Sequence, residues 1–166
     1  MTEESGTKQT EYGGKVNDID NGLGYPITSV IYGEGVRNGV FTDATVPTTK
    51  GMNIVARAHT HPNGSAPSPD DFKKMGDPGF KYKYSIIEAG SKRYTIEVIN
   101  KDKADKTNLE DFEKAWYNGV YKAKANGMSG TQLHLEGAKA LVKKYSDVSK
   151  LYQTVDKEKK DFEEVK

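Results

Sequence analysis

The chain has 166 residues, the length of one ordinary domain with room for one sizeable core. Lys and Arg number 25 against 24 Asp and Glu, a balance that leaves no electrostatic footprint for nucleic acid. Cysteine is absent, which excludes disulfides and thiolate metal sites and leaves His and carboxylate side chains to hold any metal.

The opening "MTEESGTKQT" is polar and linker-like. It lacks the apolar run of a signal peptide, and no stretch of about 18 apolar residues follows anywhere. The chain therefore reads as soluble, with secretion or delivery as part of a larger effector left open. From Glu11 to about Ile99, Gly, Thr, Val, Ile and Tyr recur between the turn signals "DIDNGLG", "GEGVRNG" and "DPG", predicting short strands in close succession. Three segments stand out: "PITSVIYG" at 26–33, "MNIVARAHTH" at 52–61, and the pair "YKYSIIEA" and "RYTIEVIN" around Gly90-Ser91-Lys92, a hairpin by its β-branched and aromatic arms.

Beyond Lys101 the pattern changes. "NLEDFEKAWYNGVYKAKANG" sets Leu109, Phe112, Ala115, Trp116 and Val120 at spacings of three and four, an amphipathic helix stopped near Asn126-Gly127. "TQLHLEGAKALVKKYSDVSKLYQTV" repeats this through Leu133, Ala140, Leu141, Tyr145 and Val148. The last run, "DKEKKDFEEVK", reads as a frayed helix end or tail. The expected class is α/β: a mixed β-sheet flanked by helices, with a metal-binding core over 1–105 and a helical extension over 106–166 packed on it. Trp116, Tyr117 and Tyr121 are expected to plug core against the sheet. The closely spaced glycines of "GLGYP" and "GEGVRNG" form no phosphate-loop signature.

Two of the three histidines fall in "AHTHPNGSAPSPDD", residues 58–71. His59 and His61, at i and i+2, share one side of a strand and can chelate one ion. Pro62-Asn63-Gly64 turns the chain, and "SPDDF" starts a helix with Ser68 at the N-cap and Pro69 at the first position. That brings Asp71 back toward the histidines as a third ligand, the set a catalytic zinc site uses with its fourth position left to water. Ser-Pro-Asp-Asp is by itself a sufficient helix start, but a cap has no use for two histidines. His134 lacks a ligand at i+4 and is expected at the surface or in packing.

"HTHP" followed by "SPDD" resembles the two halves of the JAMM motif of the JAB/MPN metalloproteases, in which an upstream Glu precedes His-x-His-Pro, a short loop and Ser-x-x-Asp. The resemblance implies a JAB/MPN-like, cytidine-deaminase-like fold, zinc held by His59, His61 and Asp71, and Ser68 placed to steady an oxyanion. The upstream Glu often opens an E-x-x-G context, which "EYGG" at Glu11 to Gly14 matches; Glu34 in "YGEGV" is the alternative. The family usually has seven residues between the second His and the Ser, against six here. The layout resembles most the compact bacterial domains at the ends of polymorphic toxins.

The implied activity is zinc-dependent hydrolysis of peptide or isopeptide bonds, with a protein substrate and a cognate immunity protein as partners. A carboxylate, Glu11, would take the proton of the metal-activated water and return it to the leaving amine. Two other readings stand beside it: a metal-dependent nuclease or other hydrolase on the same scaffold, and a non-catalytic JAB-like binding module. Metal content and parallel digests of protein and nucleic acid separate the three.

Overall fold

The structure, a computed structural model, describes residues 10–11, 13–20, 26–32, 36–37, 53–156 and 161–166, by backbone alone up to residue 55. Seven strands form one mixed sheet. In sheet order they are β3 (Pro26–Tyr32), β2 (Gly13–Asp20), β5 (Asn53–Thr60), β6 (Tyr84–Ala89), β7 (Lys92–Val98), β8 (Ser149–Thr154) and β9 (Phe162–Glu164). Two short strands, β1 (Thr10–Glu11) and β4 (Val36–Arg37), pair separately. Every neighbouring pair in the large sheet is antiparallel except β5 and β6. A parallel pair needs a crossover, and this one carries helix α1 (Pro69–Gly76).

The β6–β7 hairpin forms where the sequence predicts it, closed by Gly90-Ser91 with Ala89 opposite Lys92. Gly90 has φ +60, the left-handed backbone that the first central residue of a two-residue hairpin loop requires. Ser85, Ile87 and Ala89 on β6 and Tyr94, Ile96 and Val98 on β7 are buried, so the alternating residues of both strands supply one core face.

Three helices close over that face: α1, α3 (Leu109–Ala125) and α4 (Thr131–Lys144). A short α2 (Lys101–Lys106) links β7 to α3. The Asn108 carboxamide oxygen caps α3 by accepting from the Asp111 N–H at 2.8 Å, and α3 ends at Asn126-Gly127 as its sequence predicts, with Gly127 at φ +82. Phe72 of α1 meets Phe112 of α3 at 6.5 Å between centroids, and Phe112 meets Tyr145 edge-on at 5.0 Å. The α3–α4 crossing is tight: a Cβ at Gly119 would stand 2.4 Å from the Glu136 carbonyl oxygen.

Three expectations are corrected. The helical run from Thr131 does not continue to Val148; α4 stops at Lys144 and Ser149–Thr154 is a strand beside β7. The last described residues of the charged run are neither frayed helix nor tail, because Phe162–Glu164 pairs with β8 and Val165 returns to the core. The physical reason is open sheet edges: β7 gives residues 149–154 backbone partners, and β8 in turn gives them to residues 162–164, neither of which helical periodicity registers. Finally, Trp116 is buried as expected, but Tyr117 and Tyr121 face outward, because Phe112, Ala115, Trp116 and Ala123 already fill the inner side of α3.

Candidate metal centre

The site sits where β5 ends. Side chains alternate along a strand, and His59 lies in register with Ile87 of the core, so His59, and His61 after it, project to the helix-covered side. The His61 N–H donates to the Glu88 carbonyl at 2.8 Å, fixing the strand end. Pro62-Asn63 then reverses the chain, with the Gly64 N–H donating to the His61 carbonyl at 2.9 Å as in a turn with Pro at its second position. The Ser65 N–H donates to the Asn63 side-chain oxygen at 3.1 Å, extending the turn through an Asx interaction. Gly64 has φ +71.

Ser68 is the N-cap of α1 and Pro69 its first residue. This delivers Asp71, in the first helical turn, to the two imidazoles. His59 Nε2 lies 3.0 Å from Asp71 Oδ1, His61 Nε2 lies 3.4 Å from Asp71 Oδ2, and the two Nε2 atoms are 3.1 Å apart. Ligand atoms about 2.0–2.1 Å from one tetrahedral ion stand roughly 3.3 Å from each other. The His59–His61 and His59–Asp71 Oδ1 separations are of that order, and the group, which offers one ligand atom from each residue all within 4.8 Å of one another, could hold a metal ion.

Surrounding contacts orient the ligands. His61 Nδ1 lies 3.0 Å from the Ser65 carbonyl oxygen and 3.3 Å from its hydroxyl; donating from Nδ1 to the carbonyl leaves the Nε2 lone pair for a metal. Asp71 Oδ2 accepts from the Ser68 N–H at 2.7 Å and from the Ser68 hydroxyl at 2.9 Å, while Oδ1 is the oxygen nearest His59. All three ligands are buried. Burial holds the His59 proton affinity below the usual imidazole range even against the attraction of Asp71, which favours the neutral, metal-ligating form. Burial also tends to raise the Asp71 carboxyl, but the His61 and His59 imidazoles outweigh it and hold Asp71 well below the ordinary carboxylate range.

Of the residues singled out from sequence, His59, His61, Ser68 and Asp71 come together. Ser68 turns its hydroxyl onto Asp71. Glu11 is described by backbone only, in β1 opposite Val36. The neighbouring strand β2 begins at Gly13, which pairs with His59, followed by Gly14 with Ala58 and Lys15 with Arg57. Glu34 lies outside the described residues. One participant was not marked by sequence: Ser65 orients His61 and is signalled only by the Asn-Gly-Ser turn chemistry. His134 is packed, half-buried with its ring edge-on to Trp116.

Compared with family models, curated proteins and solved structures, the chain matches none. Among the described residues no helix is long and apolar enough to cross a membrane.

Proposed function

We propose that this chain is a zinc-dependent hydrolase of JAB/MPN type that cleaves peptide or isopeptide bonds through a metal-activated water, and that it acts as a toxin or effector domain. The observation carrying the reading is the buried His59–His61–Asp71 group, with His59 Nε2 3.1 Å from His61 Nε2 and 3.0 Å from Asp71 Oδ1, its side chains oriented by Ser65 and Ser68. Zinc at such a site supplies Lewis acidity and brings the pKa of a water toward neutrality. His59 and His61 offer Nε2, Asp71 offers Oδ1, and Ser68 holds the other Asp71 oxygen in place. Ser68 is thus better suited to positioning Asp71 than to steadying an oxyanion. By the resemblance of "EYGG" to the family's E-x-x-G context, Glu11 is the carboxylate that would take the proton of the attacking water and hand it to the leaving amine. The parallel β5–β6 pair, with Asp71 on its crossover, is compatible with the JAB/MPN scaffold. The effector role, with a cognate immunity protein as partner, rests on the resemblance of "AHTHP" and "SPDDF" to the compact bacterial branch.

Elemental analysis after zinc loading tests the reading. One zinc per chain is expected, lost in His59→Ala and in Asp71→Ala. Glu11→Gln should keep the metal and lower turnover about 10²- to 10⁴-fold on a panel of protein and isopeptide substrates. A chain that takes up no zinc, or a zinc-loaded chain that cuts nucleic acid and not protein, sinks it.

A further inference from the structure

A cavity of about 360 Å³ opens where the end of α4 meets the last two strands. Val142 and Val165, both buried, supply apolar walls, and Ser149, the first residue of β8, lines it with them. None of its lining residues lies between His59 and Asp71, so it is distinct from the metal centre. Backbone hydrogen bonds hold its frame. The Ser149 N–H donates to the Tyr145 carbonyl at 3.1 Å, tying β8 to the end of α4, and the Val165 N–H donates to the Leu151 carbonyl at 2.8 Å, carrying the chain past β9 along β8.

Two features of the cavity point to a ligand. The first is Ser149, which is 5% exposed and whose hydroxyl finds no hydrogen-bond partner among the described residues. Buried hydroxyls are as a rule partnered, and one left without an acceptor costs stability. An acceptor atom seated in the cavity removes that cost. The second is an imbalance of charge: Lys143, Lys150 and Lys166 line the cavity against one carboxylate, Glu164. Lys150 Nζ stands 3.7 Å from Glu164 Oε2, beyond hydrogen-bonding distance.

Ammonium groups beside a hydroxyl donor match an anionic oxygen, and valine walls match a hydrocarbon body. The volume falls at the lower end of the roughly 300–1,000 Å³ usual for small-molecule sites, which favours a short tail over a bulky ring system. We propose that this cavity is a second binding site, taking a small amphipathic carboxylate. Its oxygens accept from the Ser149 hydroxyl and from the Lys143 and Lys150 ammonium groups, and its tail lies against Val142 and Val165. Such a ligand touches α4, β8 and β9 together, so it ties the last strands to the helical layer and stabilises the folded chain by mass action. The site does not depend on the hydrolase reading.

The test uses the full chain kept metal-free, so that a carboxylate held by zinc does not enter. Octanoate, 1-octanol and octylamine, which share a tail and differ in head group, are titrated by calorimetry. Octanoate should bind one molecule per chain, raise Tm and shift the amide resonances of Val142, Ser149 and Val165. 1-Octanol should bind at least about fivefold more weakly, and octylamine more weakly still. Ser149→Ala removes a hydroxyl that bonds to nothing inside the protein, so its circular-dichroism melt should match the parent's while octanoate weakens roughly tenfold. Lys143→Gln and Lys150→Gln should each weaken octanoate about two- to fivefold and leave 1-octanol unchanged. No binding of octanoate overturns the proposal, as do equal affinities for octanoate and 1-octanol, tighter binding of octylamine, or resonance shifts confined to residues away from the cavity. Octanoate affinity unchanged in Ser149→Ala and in both lysine variants overturns it as well.

Discussion

His59 must be buried yet ready to give a lone pair, and burial itself meets both demands by disfavouring the imidazolium. The unfolded chain takes up a proton near the ordinary histidine value of about 6.5, while folded His59 resists it. More protons on the unfolded side means that stability falls as pH drops below that value. Asp71 acts in the same direction at lower pH: its folded carboxyl is depressed, so its contribution is present above about 3.9 and lost as pH falls toward the folded value. Thermal melts of the metal-stripped chain should therefore show Tm declining from about pH 6.5 downward, and His59→Gln should flatten the upper part of that decline. Ser68→Ala removes a hydroxyl donor from Asp71 Oδ2 but leaves the backbone N–H. Losing such an outer partner typically weakens metal binding about 10- to 100-fold, measurable by competition with a chromogenic chelator. If instead Ser68→Ala leaves zinc affinity unchanged and lowers only turnover, its hydroxyl serves the substrate.

Among the elements, β5, α1 and the β6–β7 hairpin were legible because their signals are local: alternation, a Ser-Pro helix start, a glycine between β-branched arms. The α3–α4 pair was legible as helices but not as a packed pair. Gly119 lies in the middle of α3, where helix propensity alone favours Ala by about 1 kcal/mol. The crossing reverses that sign, because the new methyl would meet the Glu136 carbonyl oxygen at 2.4 Å and the Ala140 Cβ at 2.6 Å. Gly119→Ala should thus destabilise the protein by about 1–3 kcal/mol, the usual cost of overpacking, read from urea unfolding. A gain in stability would mean that the helices do not cross there.

Across the whole molecule, the last strands belong to the same core as the helix that carries Asp71. Phe72 and Met75 of α1, Ile87 and Ile96 of the sheet, Leu141 of α4, Leu151 of β8 and Val165 form one buried cluster. Leu151 is fully buried, and Leu151→Ala should cost about 2–5 kcal/mol. Because the cluster is continuous, zinc release and loss of helical circular dichroism should shift together to lower temperature in that variant. Zinc release at an unchanged temperature would show that the metal-bearing part folds independently of the last strands.

By itself the sequence determined the site's local grammar. An i, i+2 histidine pair on a strand, a Pro-Asn-Gly turn and a Ser-capped helix start act over a dozen residues, so their spacing alone returns Asp71 toward His59 and His61. Tertiary structure decided what depends on distant partners. The open edge of β7 made a strand of residues 149–154, whose own free edge then took residues 162–164, and the closed inner face of α3 left Tyr117 and Tyr121 outside. These outcomes turn on which backbone edge or apolar face is still unfilled when the chain folds back, and that information is spread over the whole molecule.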